Sequence, residues 1–147
     1  MRIYLAARYS RRDELCEIRR AIEAAGRHVV RARWLDGNHQ ISDSGIPIGE
    51  GFERDDMSGG DSAAVLRQRF AQEDFDDVAS CDLFVAFTEP PRSSASRGGR
   101  HVELGIALGL GKRIAVVGFR ENVFCWLPVV QFYEFMPDLL ASLEGQS

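Results

Sequence analysis

The first βαβ unit of the chain lies in residues 3–33, which read IYLAARYSRRDELCEIRRAIEAAGRHVVRAR. The apolar run 3–7 does not alternate with polar residues, which is typical of a parallel strand buried on both faces. Ser10, with Asp13 three residues later, predicts the N-cap of a helix that runs as far as Gly26. Residues 28–33 then predict a second strand, and the order strand, helix, strand indicates a parallel sheet.

The same alternation continues to the end of the chain. Phe70, Phe75 and Val78 share one predicted face of a helix that begins at residue 62 or 63. The remaining predicted elements are a strand at 83–87, a helix at 100–111, strands at 114–118 and 129–135, and a last helix at 137–143. Together they predict a single α/β domain over 1–147, a flavodoxin-like or Rossmann-like doubly wound parallel sheet of about five strands. Residues 34–60, rich in Gly, Asp and Ser, predict a long loop or lid.

Composition excludes several classes of protein. The 147 residues are 45% hydrophobic and 27% charged, as in an ordinary soluble domain. Eighteen Lys and Arg against 22 Asp and Glu leave a net charge of -4, the wrong sign for binding a nucleic-acid polymer or a membrane surface. The N-terminus lacks the apolar stretch of a signal peptide, so we expect a cytoplasmic protein.

No cofactor is predicted from the motifs of the chain. Cys16, Cys81 and Cys125 are widely spaced within apolar stretches and are interpreted as core residues. The three histidines are equally scattered, so no metal site is expected. Neither GxGxxG nor GxxxxGK[ST] occurs, so neither a nicotinamide cofactor nor ATP hydrolysis is supported.

Ligands of an open α/β sheet bind beyond the carboxyl ends of its strands. This rule selects segments 7–12, 88–103 and 118–126. The first segment ends at a helix N-terminus beside two arginines, which suits an anion such as phosphate. A capped helix with solvated arginines fits the same residues equally well. The candidate binding residues of this segment are Ala7, Tyr9, Ser10 and Arg11.

The second segment resembles an anion cradle. Gly98 and Gly99 allow a tight turn, the next helix points free N–H groups into that turn, and Ser94 and Ser96 supply hydroxyls. Glu103 is expected in the first turn of that helix, where the helix dipole favours the ionised form that a carboxylate nucleophile needs. The residue also fits an ordinary first-turn acid. Asp74 lies in an acidic run that spacing alone would assign to a solvated helix face.

Three stretches of sequence carry a resemblance to a known family. They are IYLAA at 3–7, EDFDDVASCDLFVAF at 73–87 and GGRHVELGIALGLGKRI at 98–114. In this order and spacing they resemble the nucleoside 2-deoxyribosyltransferase family, which includes the 2'-deoxynucleoside 5'-phosphate N-hydrolases. The resemblance places the family's active-site tyrosine on Tyr4, its active-site aspartate on Asp74 and its nucleophilic glutamate on Glu103.

The resemblance implies cleavage of an N-glycosidic bond in a nucleoside or its 5'-monophosphate. Glu103 would attack the anomeric carbon, Asp74 or a water that it holds would protonate the leaving base, and Tyr4 would orient Glu103. Transfer to a second base and hydrolysis both remain open. The arginines and serines favour a 5'-phosphate, but the loop before Glu103 is longer than in the family, so neither Ser94 nor Ser96 aligns cleanly with the family's phosphate-binding serine.

The resemblance also implies a homodimer or larger homo-oligomer in which Asn122 contributes to a shared site. The apolar stretch FCWLPVVQFYEF at 124–135 suits the interface. Trp34, His39 and Phe52 are candidates for stacking on a base, although an aromatic residue in a loop is more often a local anchor.

Two other functions remain open at this point. One is a phosphoribohydrolase of the cytokinin-activating type, whose Pro-Gly-Gly-x-Gly-Thr pattern is missing here, since Arg100 follows the two glycines. The other is a nucleotide-sensing module that binds a ligand without turning it over.

Overall fold

The computed structural model describes residues 1–37, 61–93 and 98–146. In the helix that begins at residue 61, it describes the side chains from Arg67 onward. The strands are β1 Arg2–Ala6, β2 Val29–Val30, β3 Leu83–Phe87, β4 Arg113–Val117 and β5 Val130–Tyr133. The helices are α1 Arg12–Ala24, α2 Asp61–Ser80, α3 Gly99–Gly109 and α4 Met136–Glu144. Three short 3-10 helices lie at Tyr9–Arg11, Arg33–Leu35 and Val123–Trp126.

The five strands form one parallel sheet in the order β2-β1-β3-β4-β5. The predicted α/β fold is therefore confirmed, with the strand order of the flavodoxin-like type. β3 is buried at every position, as its unbroken apolar sequence indicates. It pairs with β1 so that Tyr4 lies beside Phe84 at the centre of the sheet. The carboxyl ends of β1 and β3, on either side of the point where the strand order reverses, face the site described below.

The start of α1 differs from its prediction. A 3-10 turn, Tyr9–Arg11, precedes the helix, and Arg11 is its N-cap without any side-chain capping bond. Ser10 is exposed and does not cap. The C-terminal prediction is correct, because Gly26 follows α1 with a φ of +71°, a backbone conformation that glycine adopts at little cost.

Two further predictions, one of a side-chain position and one of a loop boundary, are also wrong. Phe75 keeps 46% of its surface exposed, because α2 turns Asp77 and Val78 toward the protein instead. The predicted loop at 34–60 begins too early, since residues 33–35 form a 3-10 turn with Trp34 and Leu35 buried. Residues 38–60, with His39 and Phe52, lie outside the described part of the chain.

Trp34 is an anchor of the core. Its ring is 6% exposed, and its indole Nε1–H donates to the Leu5 carbonyl at 2.8 Å. This bond joins the chain after β2 to the end of β1. A base could not stack on a ring buried in this way. Across the residues that the structure describes, no helix has the length and apolarity needed to cross a bilayer.

We expect Trp34→Phe to lower the free energy of unfolding by about 1–3 kcal/mol, because the Leu5 carbonyl loses its donor in a buried place. Urea unfolding followed by circular dichroism measures the change. Phe75, which is 46% exposed on α2, offers the control, and Phe75→Leu should change stability by less than about 0.5 kcal/mol. Equal effects of the two substitutions would contradict the anchoring role of Trp34.

Candidate active site

The three segments predicted to form a site meet at the carboxyl edge of the sheet. The Arg11 guanidinium donates to the Thr88 carbonyl at 3.3 Å, which joins the segment after β1 to the end of β3. Thr88 is in turn joined to the segment after β4, because its hydroxyl accepts from the Phe119 backbone N–H at 2.7 Å and lies 2.6 Å from the Phe119 carbonyl. Gly118 permits this close approach. Its φ is +114°, and a Cβ there would lie 3.2 Å from the Thr88 hydroxyl.

Tyr4 and Glu103 are directly bonded. The Tyr4 hydroxyl donates to Glu103 Oε1 at 3.0 Å, from β1 to α3. The Tyr4 ring is fully buried and stacks on Phe84, with 5.6 Å between centroids and 12° between planes. Packing therefore fixes the ring, and the hydroxyl in turn orients a carboxylate that is itself only partly buried. Glu103 thus keeps an accessible edge, as a group that contacts a ligand needs.

Burial dominates the protonation of both candidate carboxyls. It raises the pKa of Glu103 to about 8, with a further rise from the nearby charge of Asp74 and an opposing effect from the Tyr4 hydrogen bond. Burial, followed by the charges of Asp77 and Glu73, raises the pKa of Asp74 to about 7. Burial and the charge of Glu103 also raise the pKa of Tyr4 well above its usual value, so Tyr4 stays a donor.

The predicted effect of the helix dipole on Glu103 is wrong. α3 begins at Gly99 after Gly98 as N-cap, so Glu103 lies in the second turn and the first turn holds no acid. The dipole acts mainly within the first turn, where its groups are unpaired. Burial outweighs it here and favours the neutral carboxyl.

The charge of Asp74 raises the pKa of Glu103, so the two carboxyls titrate as a coupled pair. Repulsion between like charges belongs to the pair and separates its two proton losses. With pKa values of about 7 and about 8, the pair holds one proton in the window between them. One neutral and one ionised carboxyl together supply an acid and a nucleophile.

The structure places the predicted residues after β1 in unequal surroundings. Ala7 packs partly buried against the core, and Tyr9 packs against Trp34 with 6.2 Å between ring centroids. Ser10 is exposed. The Arg11 guanidinium pairs with Glu14 at 2.8 Å and with Glu89 at 3.4 Å, so two carboxylates already balance its charge. A phosphate at Arg11 would have to compete with both.

The predicted cradle lies at the start of α3. Gly98 adopts the left-handed conformation, with a φ of +85°, and is the N-cap of the helix. Gly99 is the first helical residue, and a Cβ on either glycine would meet no atom within 4 Å. Ser94 and Ser96 lie outside the described residues.

Asn122 lies beside the same helix start. Its side chain caps the 3-10 turn Val123–Trp126 by accepting from the Phe124 N–H at 2.9 Å. Its amide nitrogen lies 3.4 Å from His101 Nδ1 in the first turn of α3. Asn122 therefore has structural partners within its own chain as well as a place at the rim of the site.

Comparison with known proteins identifies the architecture. No family model and no curated protein matches the sequence. Among solved structures, the 2-deoxyribosyltransferase of Bacillus psychrosaccharolyticus matches with a TM-score of 0.64 at 17% identity, covering 97% of this chain and 96% of that one. The chain has the 2-deoxyribosyltransferase fold.

Two further solved structures share this fold. The 2-desoxiribosyltransferase of Leishmania mexicana has a TM-score of 0.58 at 16% identity, with 99% of each chain covered. The Clostridium botulinum CMP N-glycosidase BcmB has a TM-score of 0.53 at 19% identity, with 98% of each chain covered. The three matches therefore cover 97%, 98% and 99% of this chain.

Two ion pairs near the candidate active site were not predicted from the sequence. Arg100, at the start of α3, forms a nearly buried pair with Glu121 after β4, and His101 lies 4.0 Å from the same carboxylate. Arg33 pairs with the buried Asp77 at 2.9 Å. The partners are 21 and 44 residues apart, so no local spacing rule could have connected them.

Metal-ligand clusters are absent from the described part of the chain. Nowhere in it do three His, Cys, Asp or Glu side chains come together in a way that could hold a metal ion.

We expect Glu103→Gln to stabilise the protein at high pH. An acid whose pKa is higher folded than unfolded loses stability as pH rises, here from about its ordinary 4.5 up to about 8. Glutamine keeps an acceptor for Tyr4 and carries no charge. The gain should be roughly 1–3 kcal/mol at pH 9 and near zero at pH 4.

Thermal and urea unfolding at the two pH values measure this gain. Glu134 is exposed on the surface, so Glu134→Gln is the matched control and should change stability little at either pH. A Glu103→Gln gain that does not depend on pH would contradict the assigned burial of the charge.

Proposed function

We propose that this chain cleaves the N-glycosidic bond of a nucleoside or deoxynucleoside, or of its 5'-monophosphate, through a covalent glycosyl intermediate on Glu103. The observation that carries the proposal is the Tyr4–Glu103 hydrogen bond beside Asp74, in a fold shared with 2-deoxyribosyltransferases and a CMP N-glycosidase. The fold supports the proposed class of substrate, and the paired carboxyls support the proposed type of reaction.

The proposed reaction has two steps. Burial favours the proton of the pair on Glu103, so this proton first passes to Asp74. Glu103, now ionised and oriented by Tyr4, attacks the anomeric carbon while the bond to the base nitrogen breaks, and Asp74 gives the proton to that nitrogen. A water or a second base then attacks the same carbon, the bond to Glu103 breaks, and Asp74 takes a proton back. Two displacements return the starting configuration, as in retaining glycosidases. The surroundings of the carbon at the second step decide between hydrolysis and transfer.

A 5'-monophosphate is the favoured form of the substrate within this proposal. α3 begins at Gly99 after the N-cap Gly98, and the positive end of its helix dipole suits a phosphate. Ser94 and Ser96 precede this turn in the sequence. The likeness to a CMP N-glycosidase gives the same direction.

We further propose that the functional form is a homodimer or larger homo-oligomer. Large apolar side chains are exposed on the segment after β4, next to Asn122. They are Phe119, Val123, Phe124, Trp126, Leu127, Val129 and Phe135. An exposed apolar surface of this kind is typical of a contact between subunits, and its place beside the site fits a shared active site.

The proposal predicts release of free base, or exchange of base, by the wild-type protein. Chromatography of reactions with deoxy- and ribonucleosides and their 5'-monophosphates, with and without a second base, measures both. Glu103→Ala should lower the rate by at least about 10³-fold, and Asp74→Asn by about 10²–10⁴-fold. Dependence on the second base separates transfer from hydrolysis.

The control for this assay is Glu144→Ala, which removes a carboxylate from the exposed surface outside the proposed subunit interface and should keep the wild-type rate. If the wild type turns over no member of the panel but binds one tightly, and Glu103→Ala binds it equally well, the proposal fails. A nucleotide-sensing module is then the function that the results support.

The pH dependence of kcat/KM should be bell-shaped, with its maximum between about pH 7 and 8. The reacting pair needs one proton, so the rate falls below the lower pKa, where both carboxyls are neutral, and above the higher, where both are ionised. The same bell results whichever carboxyl holds the proton before substrate binds. A flat profile from pH 6 to 9 would exclude the pair as the titrating groups.

A further inference from the structure

Asp77 is a fully buried carboxylate that the proposed reaction does not use. Its side chain has no exposed surface, and its oxygens accept from Arg33 Nε at 3.0 and 3.1 Å and from Arg31 Nε at 3.1 Å. The Arg33 backbone N–H also donates to it at 2.8 Å. A buried charge is stable only with such partners, so the position is built for an ionised carboxylate.

Arg33 connects this carboxylate to the two sides of the candidate active site. Its Nη2 donates to the Glu73 carbonyl at 3.2 Å. Arg33 therefore contacts α2 at Glu73 and at Asp77, which lie on either side of Asp74 in the sequence. The next residue, Trp34, donates to the Leu5 carbonyl, and Leu5 follows Tyr4 in β1. One short 3-10 turn therefore links the helix that carries Asp74 to the strand that carries Tyr4.

Asp77 is a point at which α2 is held to the rest of the fold. Of residues 67–80, whose side chains the structure describes, Asp77 and Val78 are the buried ones. Asp77 lies close to one helical turn after Asp74, on the neighbouring part of the same face. The contacts that hold Asp77 therefore bear on where the Asp74 carboxyl lies relative to Glu103.

The same groups set the charge around Asp74. Asp77 and Glu73 on its own helix raise its pKa, and Arg33 from the 3-10 turn lowers it. Across the site it faces Glu103 on α3 and Tyr4 on β1, both of which feel its charge. Removing Asp77 and removing Arg33 should thus move the titration of Asp74 in opposite directions.

We propose that the Arg33–Asp77 pair is a positioning device for Asp74, one that fixes the place of this carboxyl opposite Glu103 and sets the charge around it. The inference rests on the proposed function, in which Asp74 is the proton donor. Arg31 belongs to the same contact but keeps 55% of its side chain exposed, so its part is smaller.

The test combines a direct titration with kinetics. Carbon-detected NMR follows the Asp74 carboxyl with pH, and chromatography of base release gives kcat and KM over the same range. The variants are Asp77→Asn, Arg33→Gln and Arg33→Lys. Arg19→Gln is the matched control, since Arg19 pairs with Asp36 just after the same 3-10 turn and makes no described contact with α2.

Asp77→Asn should lower the pKa of Asp74 and Arg33→Gln should raise it, each by about half to one unit. Both should lower kcat about tenfold or more with KM changed less than about threefold, because the acid is displaced from the bond that breaks. Arg33→Lys keeps the positive charge but loses the several N–H donors of the guanidinium. It should therefore lower kcat while leaving the pKa of Asp74 near that of the wild type. Arg19→Gln should change none of these quantities.

The outcomes separate the inference from the proposed function. Opposite shifts together with the loss of kcat support the inference. Unchanged titration and kcat in folded variants overturn it, as do shifts in the same direction, which indicate general loosening. If Asp77→Asn does not fold, the two Arg33 variants still give the contrast between charge and geometry. A wild type that cleaves no substrate rejects the proposed function, and the titrations alone then decide whether the pair sets the charge at Asp74.

Discussion

The hydroxyl of Tyr4 lies where the centre of the sheet meets the candidate active site. Its ring belongs entirely to the core, held between neighbouring strands and stacked on Phe84. Its oxygen belongs to the site, where it donates to Glu103. Because the ring cannot move without disturbing the sheet, the glutamate is oriented by the packing of the whole β1–β3 pair. A phenol serves this purpose well, since it joins a large apolar surface to one polar atom.

Acidic side chains are concentrated between α2 and the sheet, and their negative charges are compensated to different extents. Asp77 is fully enclosed and is matched by arginines, so its charge is stable. Burial makes the ionised forms of Asp74 and Glu103 costly and raises the pKa of both. The protein therefore keeps one set of acids charged for structure and leaves another set ready to exchange protons. Such a division is typical of functional sites, where local stability is exchanged for reactivity.

Much of this arrangement could be predicted from sequence. Unbroken apolar runs identify β1, β3 and β4, whereas the sequence leaves the strand order open between the flavodoxin-like and the Rossmann-like arrangement. Family motifs predict Tyr4, Asp74 and Glu103 as site residues, and the structure joins Tyr4 to Glu103 by a hydrogen bond. The predicted start of α3 is one residue too late, because an N-cap glycine has no side-chain signal to distinguish it from its neighbour, and this shift moves Glu103 from the first turn to the second. An anchoring role for Trp34 is expected from the sequence, but its hydrogen bond to Leu5 depends on tertiary contact alone.

The joint between Thr88 and Gly118 has a consequence for how this protein can change in evolution. The Thr88 hydroxyl forms hydrogen bonds with the backbone N–H and the carbonyl of Phe119. It also lies so close to Gly118 that a Cβ at this position would crowd it. The chain that leaves β4 is therefore held through its backbone, independently of which side chains follow it. The exposed aromatic side chains beyond this joint can therefore be replaced while the backbone keeps its path from β4. Sequence divergence on this surface is thus compatible with an unchanged edge of the sheet.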